Sequence, residues 1–228
     1  MGTLEWQKLD VGEKNGEEYD YWISYDYCSM SRDEQTIICA GYYETFITMD
    51  GGETWRNVIN PNDMVTGSGQ GVFAGNNGFV LLLADSYDTN TCATLKYNWE
   101  NDAWDTMHEV SRDTFYSGYS VVGNEDGEHC ITTYWCNYDN HQAYVSHDYG
   151  ESWTNVSSLS GLPAVWSLDI NKSGNRMVAG VYANPGTGIE NQWTGIYVST
   201  NYFHRWGQIA YYSARQRLRD TIISLFRI

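Results

Sequence analysis

Basic residues are scarce in this chain: 13 Lys and Arg stand against 29 Asp and Glu, a formal charge of −16 over 228 residues. A broad phosphate-binding surface needs cations to neutralise the backbone, so a nucleic-acid ligand is excluded, and docking of the body on an anionic membrane with it. Proline is down to three, and the longest apolar run, Phe79 to Ala84, falls far short of a membrane span. The start, Met1-Gly2-Thr3-Leu4-Glu5-Trp6, lacks a basic stretch and an apolar run. Neither a signal peptide nor a transmembrane segment is therefore expected, and the compartment stays open. Cysteine is sparse and odd in number: Cys28, Cys39, Cys92, Cys130 and Cys136. They form no CxxC pair and no Cys/His cluster of zinc-ligand spacing, so no metal and no cofactor is expected. Buried thiols are the first reading and disulfides the second. Phosphate loops, nucleophile elbows and nucleotide fingerprints are missing too, and no catalytic constellation is legible.

What the chain has instead is aromatics and turns. Ten Trp, nineteen Tyr and 22 Gly suit an all-β protein, because aromatic side chains fit half-buried pleated surfaces and glycine fits tight turns. Two stretches match each other in register: Thr48-Met49-Asp50-Gly51-Gly52-Glu53-Thr54-Trp55 and Ser146-His147-Asp148-Tyr149-Gly150-Glu151-Ser152-Trp153. Each sits between strand-like runs. The aspartates (Asp50, Asp148) can accept hydrogen bonds from turn amides just after them. The glycines (Gly52, Gly150) supply positive φ, and the tryptophans (Trp55, Trp153) leave the turn on the next strand with a large apolar face.

This pair resembles the Asp-box, or bacterial neuraminidase, repeat of sialidase-like β-propellers, sortilin-type receptor domains, a photosystem assembly factor and some endoglucanases. The resemblance implies a structural motif at the outer hairpin of a propeller blade, and so speaks for fold rather than activity.

Weaker copies extend the series. Trp104 closes one after Asn98, and Asn201 and Trp206 belong to another that begins at Ser199. Trp55, Trp104, Trp153 and Trp206 thus recur at steps of 49, 49 and 53. Within each period, alternation and punctuation predict four strands. They are 21–27, 35–42, 44–48 and 54–59; then 69–74, 79–86, 91–97 and 103–108; then 116–122, 129–136, 142–146 and 152–156; then 164–170, 176–182, 194–199 and 205–209. The N-terminal 4–9 run reads as a strand that fastens a last blade, while 221–226 reads as either strand or helix. The expectation is an all-β, Asp-box propeller-like domain over residues 1–212, with four recognisable four-stranded blades and an incomplete closing blade.

Residues 213–228 form a basic tail in which Arg215, Arg217, Arg219 and Arg227 stand against Asp220, a net of +3, leaving −19 on the rest. An acidic body with a basic tail invites self-association or docking on an acidic protein; a solvated tail is the plainer reading.

Function is read from what the motif leaves over. Sialidases bind a substrate carboxylate with three arginines, and the string Phe226-Arg227-Ile228 sits at the wrong end for the first of them. Asp26, Asp85, Asp113 and Asp169 lie near inner-strand ends without marking a pair. Tyrosines and tryptophans such as Tyr27, Tyr119, Tyr134 and Trp135 either fill the wedges between blades or stack on a ligand. The expected function is a non-catalytic recognition or scaffold module for a protein or glycan partner. The alternative is a glycoside hydrolase of sialidase or endoglucanase type.

Overall fold

The computed structural model describes residues 25–41, 44–60, 64–66, 71–86, 88–111, 117–137, 140–156, 165–181, 195–200 and 206–211. The N-terminal strand, the 213–228 tail and the self-association expected of the tail or an incomplete blade fall outside these residues.

Four antiparallel sheets follow one another along the chain. The first holds β1 (Tyr25–Met30), β2 (Ile37–Gly41), β3 (Glu44–Thr48) and β4 (Arg56–Ile59) in that order. The second holds β5 (Val65–Thr66), β6 (Val72–Ala74), β7 (Val80–Ser86), β8 (Thr91–Asn98) and β9 (Ala103–Ser111). The third is β10 (Ser117–Gly123), β11 (Cys130–Asn137), β12 (Asn140–Ser146) and β13 (Thr154–Asn155). The fourth is β14 (Val165–Ile170), β15 (Met177–Val181), β16 (Gly195–Ser199) and β17 (Trp206–Tyr211). Each is an up-and-down meander, as hairpin connections of this length dictate. These are propeller blades.

Two differences from the sequence reading bear on the inner strands. The first strand runs on to Met30, past the expected end at residue 27, because its turn begins only at Ser31. There the Ser31 hydroxyl accepts from the Thr36 amide (2.9 Å) and the Asp33 carboxylate from the Gln35 amide (3.1 Å). The innermost strand of the second blade is broken: β5 pairs with the end of β7 and β6 with its start. In the other three blades the inner strand is continuous but bulged, between Tyr25 and Tyr27, Gly118 and Ser120, and Val165 and Ser167. An extra residue raises local twist and bends the strand. All four blades therefore interrupt the inner ladder at a comparable point.

The core is made between sheets. Every residue of β7 is buried. Val80, Leu82 and Ala84 face the first sheet's Ile38, Ala40 and Ile47, whereas Leu81 and Leu83 face the third sheet's Val121, Cys130 and Tyr134. Successive strand residues point to opposite faces, so one strand feeds two separate cores. A third core joins Ile131, Ala143 and Val145 of the third sheet to Leu168, Met177 and Tyr197 of the fourth. Inner strands meet as well: β10 packs on β6, β7 and β14, and β1 on β6. Among the described residues no such core joins the fourth sheet back to the first.

Candidate functional site

The two matching stretches make the same turn, bond for bond. Thr48 Oγ1 donates to Asp50 Oδ1 (2.6 Å) and accepts from the amides of Asp50 and Gly52 (3.2 Å each). The Thr54 amide donates to Asp50 Oδ1 (2.9 Å), and Trp55 Nε1 donates to the Gly52 carbonyl (3.1 Å). Ser146, Asp148, Gly150 and Ser152 repeat the set, and Trp153 Nε1 reaches the Gly150 carbonyl at 2.8 Å. Gly52 and Gly150 have φ of +92° and +82°, values an L side chain rarely adopts. The Ser/Thr hydroxyl, for which the motif reading had no role, gathers two amides of its own turn.

The other two connections keep the length, and the second blade's turn is held by different groups. Tyr97 pairs across the ladder with Trp104, and Ser199 with Trp206, each seven residues apart, as Thr48 and Trp55 are. Trp104 packs edge-on against Tyr97 (5.3 Å between centroids), and its buried indole N–H meets no partner among the described residues. No glycine carbonyl is offered to it there. Asn98 Oδ1 caps the turn instead, accepting from the Glu100 and Asn101 amides (3.1 and 3.3 Å). Asn201 lies outside the described residues, and Trp206 is placed by its backbone.

These outer hairpins lean on the blade before them. Arg56 of the first blade pairs with Asp102 of the second (2.9 Å), and Lys96 of the second with Glu151 of the third (2.8 Å). Trp153 stacks near His108 of the second blade at 6.0 Å, beside Tyr134 and Tyr144. Tyr134 is wholly buried and its hydroxyl lies 2.7 Å from Thr94 Oγ1 of the second blade. It fills a wedge between blades and is unavailable for stacking on a ligand.

Acid acts on this region in a definite direction. Hydrogen bonds from Ser152 and then Ser146 hold the Asp148 carboxyl below its usual range, and those from Thr48 and Thr54 do the same for Asp50. Burial pushes His108 down. A depressed carboxylate contributes stability present above its unfolded value, about pH 4, and lost as pH falls through the folded one. A depressed histidine likewise contributes stability present above its unfolded value, about pH 6.5, and lost on acidification below it. In a thermal-melt pH series the wild type should lose ground to His108→Phe as pH falls below about 6.5. The difference between the two separates this effect from the general relief of acidic self-repulsion; parallel curves would refute it.

At the same end of the strands as the outer turns, but on the innermost strands, lies a concavity among the described residues, a cavity of about 820 Å³. Its walls are 27–30 of β1, 72–74 of β6, 121–123 of β10 and 167–170 of β14, so all four inner strands contribute. Arg32, Asn124 and Glu125 come from the turns that follow, and Val178, Gly180 and Ile196 extend it along the fourth sheet. The carboxylates among these lining residues are Glu125 and Asp169. Lys172 pairs with Glu125 at 2.7 Å and holds its carboxyl below the ordinary range. None of the residues singled out in the outer turns reaches this cavity; the motif and the concavity sit on different strands. Of the acids named from sequence, Asp169 lines it, while Asp85 is buried and accepts from Ser117 Oγ and the Gly118 amide (2.8 Å), tying the second blade to the third. Asp113 lies outside the described residues.

The turns beside the cavity carry a recurring device that sequence reading left as solvated connectors. Asn124 Oδ1 accepts from the His129 amide (2.8 Å), Asn171 Oδ1 from the Arg176 amide (2.9 Å), and Ser31 Oγ from the Thr36 amide. Three residues after each stands a positive φ, at Gly127, Gly174 and Glu34. Gly127 presses on Phe79 of the second blade and Gly174 on His129 of the third. The signal in sequence was a repeated Asn-x-x-Gly, too short to rise above ordinary turn composition.

No protein-family model matches the chain, and no curated protein is similar to it. Among solved structures it is similar to an ancestral GH74 enzyme, at 15% identity and a TM-score of 0.52 over 77% of this chain and 25% of that one. It is similar to a protein of unknown function from Dyadobacter fermentans, at 16% identity and 0.50 over 81% and 63%. It also resembles an extracellular domain from B. thetaiotaomicron, at 11% identity and 0.52 over 88% and 24%. The chain therefore spans about a quarter of two of these proteins and 63% of the third. At such identities the likeness shows the fold, and that fold is the β-propeller.

Proposed function

We propose that this chain is a non-catalytic recognition module of the Asp-box propeller type, and that its protein or glycan partner seats in the central depression. The observation that carries the proposal is the cavity itself: four inner strands turn their free edges and a mixture of apolar and polar side chains into one space. Concave, mostly preformed sites with a few fixed polar groups are where proteins most often take ligands. The outer turns are read as Asp boxes whose work is structural, since Asp50 and Asp148 spend their carboxylate oxygens on their own hairpins.

A glycoside hydrolase of the two-carboxylate, endoglucanase type needs a carboxylic acid kept protonated near neutral pH beside a second carboxylate. Glu125 is driven the other way by Lys172, which favours binding over catalysis. Stacking on sugar rings needs exposed flat aromatics, whereas the aromatic rings in the wall, Tyr27 and Phe73, are half-buried against the cores. That favours an extended protein segment over a glycan.

The test is a peptide-display library and a glycan array probed in parallel with the wild type and with Ser167→Trp. Ser167 is exposed on the cavity wall, so an indole there fills the site without entering a core. Hits should lose roughly tenfold or more in affinity, about 1.4 kcal/mol. Hits that bind Ser167→Trp as well as wild type would overturn the placement. Polysaccharide hydrolysis abolished by Asp169→Asn would instead establish the enzyme reading.

A further inference from the structure

Cys28 and Cys39 stand directly opposite one another on the adjacent antiparallel strands β1 and β2. The ladder fixes which kind of pair they make. Three steps away, the Ser31 amide donates to the Thr36 carbonyl at 2.8 Å. Hydrogen-bonded and non-hydrogen-bonded pairs alternate, so Met30 and Ile37 form a non-bonded pair, Ser29 and Ile38 a bonded one, and Cys28 and Cys39 a non-bonded one. Such pairs hold their Cα atoms about 4.5 Å apart, inside the roughly 4.4–6.8 Å that a disulfide spans. Their side chains also share a face. Cys28 is exposed and lines the cavity, and Cys39 is partly covered. Both thiols are free.

We propose that Cys28 and Cys39 are a redox-active dithiol at the cavity wall, which closes to a cross-strand disulfide by exchange with an incoming disulfide compound. In the first step the Cys28 sulfur, having released its proton to solvent, attacks one sulfur of R–S–S–R. The S–S bond breaks, and R–S⁻ departs and takes up a proton. The Cys39 sulfur then loses its proton and attacks the Cys28 sulfur of the mixed disulfide, expelling the second R–S⁻, which is protonated in turn. Two protein thiols are oxidised and one disulfide is reduced to two thiols.

The site is selective by construction. Cys92 and Cys130 are buried, and the Cys130 Sγ lies 3.1 Å from the Gly127 carbonyl. Of the four cysteines whose side chains are described, Cys28 alone is exposed to a reagent. Burial, and then the contact with Cys28, pushes the Cys39 thiol up to about 12. The rate of the second step should therefore climb about tenfold per pH unit as the Cys39 thiolate fraction rises. Closure ties β1 to β2 and withdraws the Cys28 thiol from the cavity, so an occupant touching that wall would meet a different surface in the two states. The inference rests on strand register and exposure alone, independently of the recognition function.

The experiment treats the full chain with oxidised glutathione over a pH series, quenches with an alkylating agent and maps the peptides by mass spectrometry. The expected result is a transient glutathione adduct on Cys28 that converts to a Cys28–Cys39 crosslink, faster at higher pH. Cys39→Ser should hold the adduct on Cys28, and Cys28→Ser should leave Cys39 reduced. A wild-type adduct on Cys28 that never resolves, a crosslink to another cysteine, or an unmodified Cys28 would each overturn the proposal. The wild-type time course decides the matter even where a variant folds poorly.

Discussion

Leu82→Ala should lower the stability of the chain by about 3 kcal/mol, and Leu81→Ala by about as much, although the two residues are neighbours on one strand. Side chains on successive strand positions face opposite ways. In a two-layer domain one of such a pair would meet solvent and its truncation would cost little. Here Leu82 is buried against the first sheet and Leu81 against the third, both with no exposed surface. Val178, on the open face of the fourth sheet and 38% exposed, is the internal control: Val178→Ala should change stability by less than about 0.5 kcal/mol. Denaturant titration followed by tryptophan fluorescence measures all three. A small loss for either leucine would mean that the second blade is covered on one side only.

Gly127→Ala should cost about 2–5 kcal/mol, which for a chain of this size lowers Tm by roughly 10 °C. Two causes add. The residue has φ of +83°, where an L side chain costs about 1–2 kcal/mol. Its new Cβ would also stand 2.2 Å from Phe79 Cδ1 of the neighbouring blade, an overlap that costs about 1–3 kcal/mol to relieve. Gly150→Ala separates them. Its φ is +82°, yet its Cβ would meet nothing nearer than Trp153 at 3.6 Å, so only the backbone cost of about 1–2 kcal/mol should remain. Phe79→Leu should recover part of the loss in Gly127→Ala and none in Gly150→Ala. Equal losses at the two glycines, unaffected by Phe79→Leu, would show that the turn does not brace one blade against the next.

The features legible in sequence are those set by neighbouring residues. Alternation gave the strands of all four periods to within a few residues, because each strand shows one apolar and one polar side or, like 79–86, is buried on both. The spacing of Trp55, Trp104, Trp153 and Trp206 gave the period because each closes a connection of the same length. What stayed hidden depends on how sheets pack. Trp104 keeps its place in the ladder, but its indole N–H lacks the glycine carbonyl that Trp55 and Trp153 find. Met30, Phe73, Val121 and Ile170 come from four different repeats, and nothing local to any of them announces a shared cavity. Cys28 and Cys39 looked like two of five unremarkable thiols until register set them face to face. The bulges of the inner strands and the break between β5 and β6 are equally silent, since a bulge adds a residue without changing composition.

The radial arrangement of the four blades is the claim on which the cavity, its proposed partner and the interface energetics all rest. It is tested most directly by pulsed electron–electron resonance on two doubly labelled chains, with nitroxides carried on non-cysteine residues so that the native thiols stay in place. One pair sits at Met30 and Asp169, on the first and fourth blades and lining the same cavity; the other sits at Glu53 and Glu151, in the outer turns of the first and third. Sheets stack about 10 Å apart, so a linear stack would put the first and fourth farther from each other than the first and third. A propeller reverses that order. The Met30–Asp169 distance should be clearly the shorter of the two, and a longer one would contradict the fold from which everything else is built.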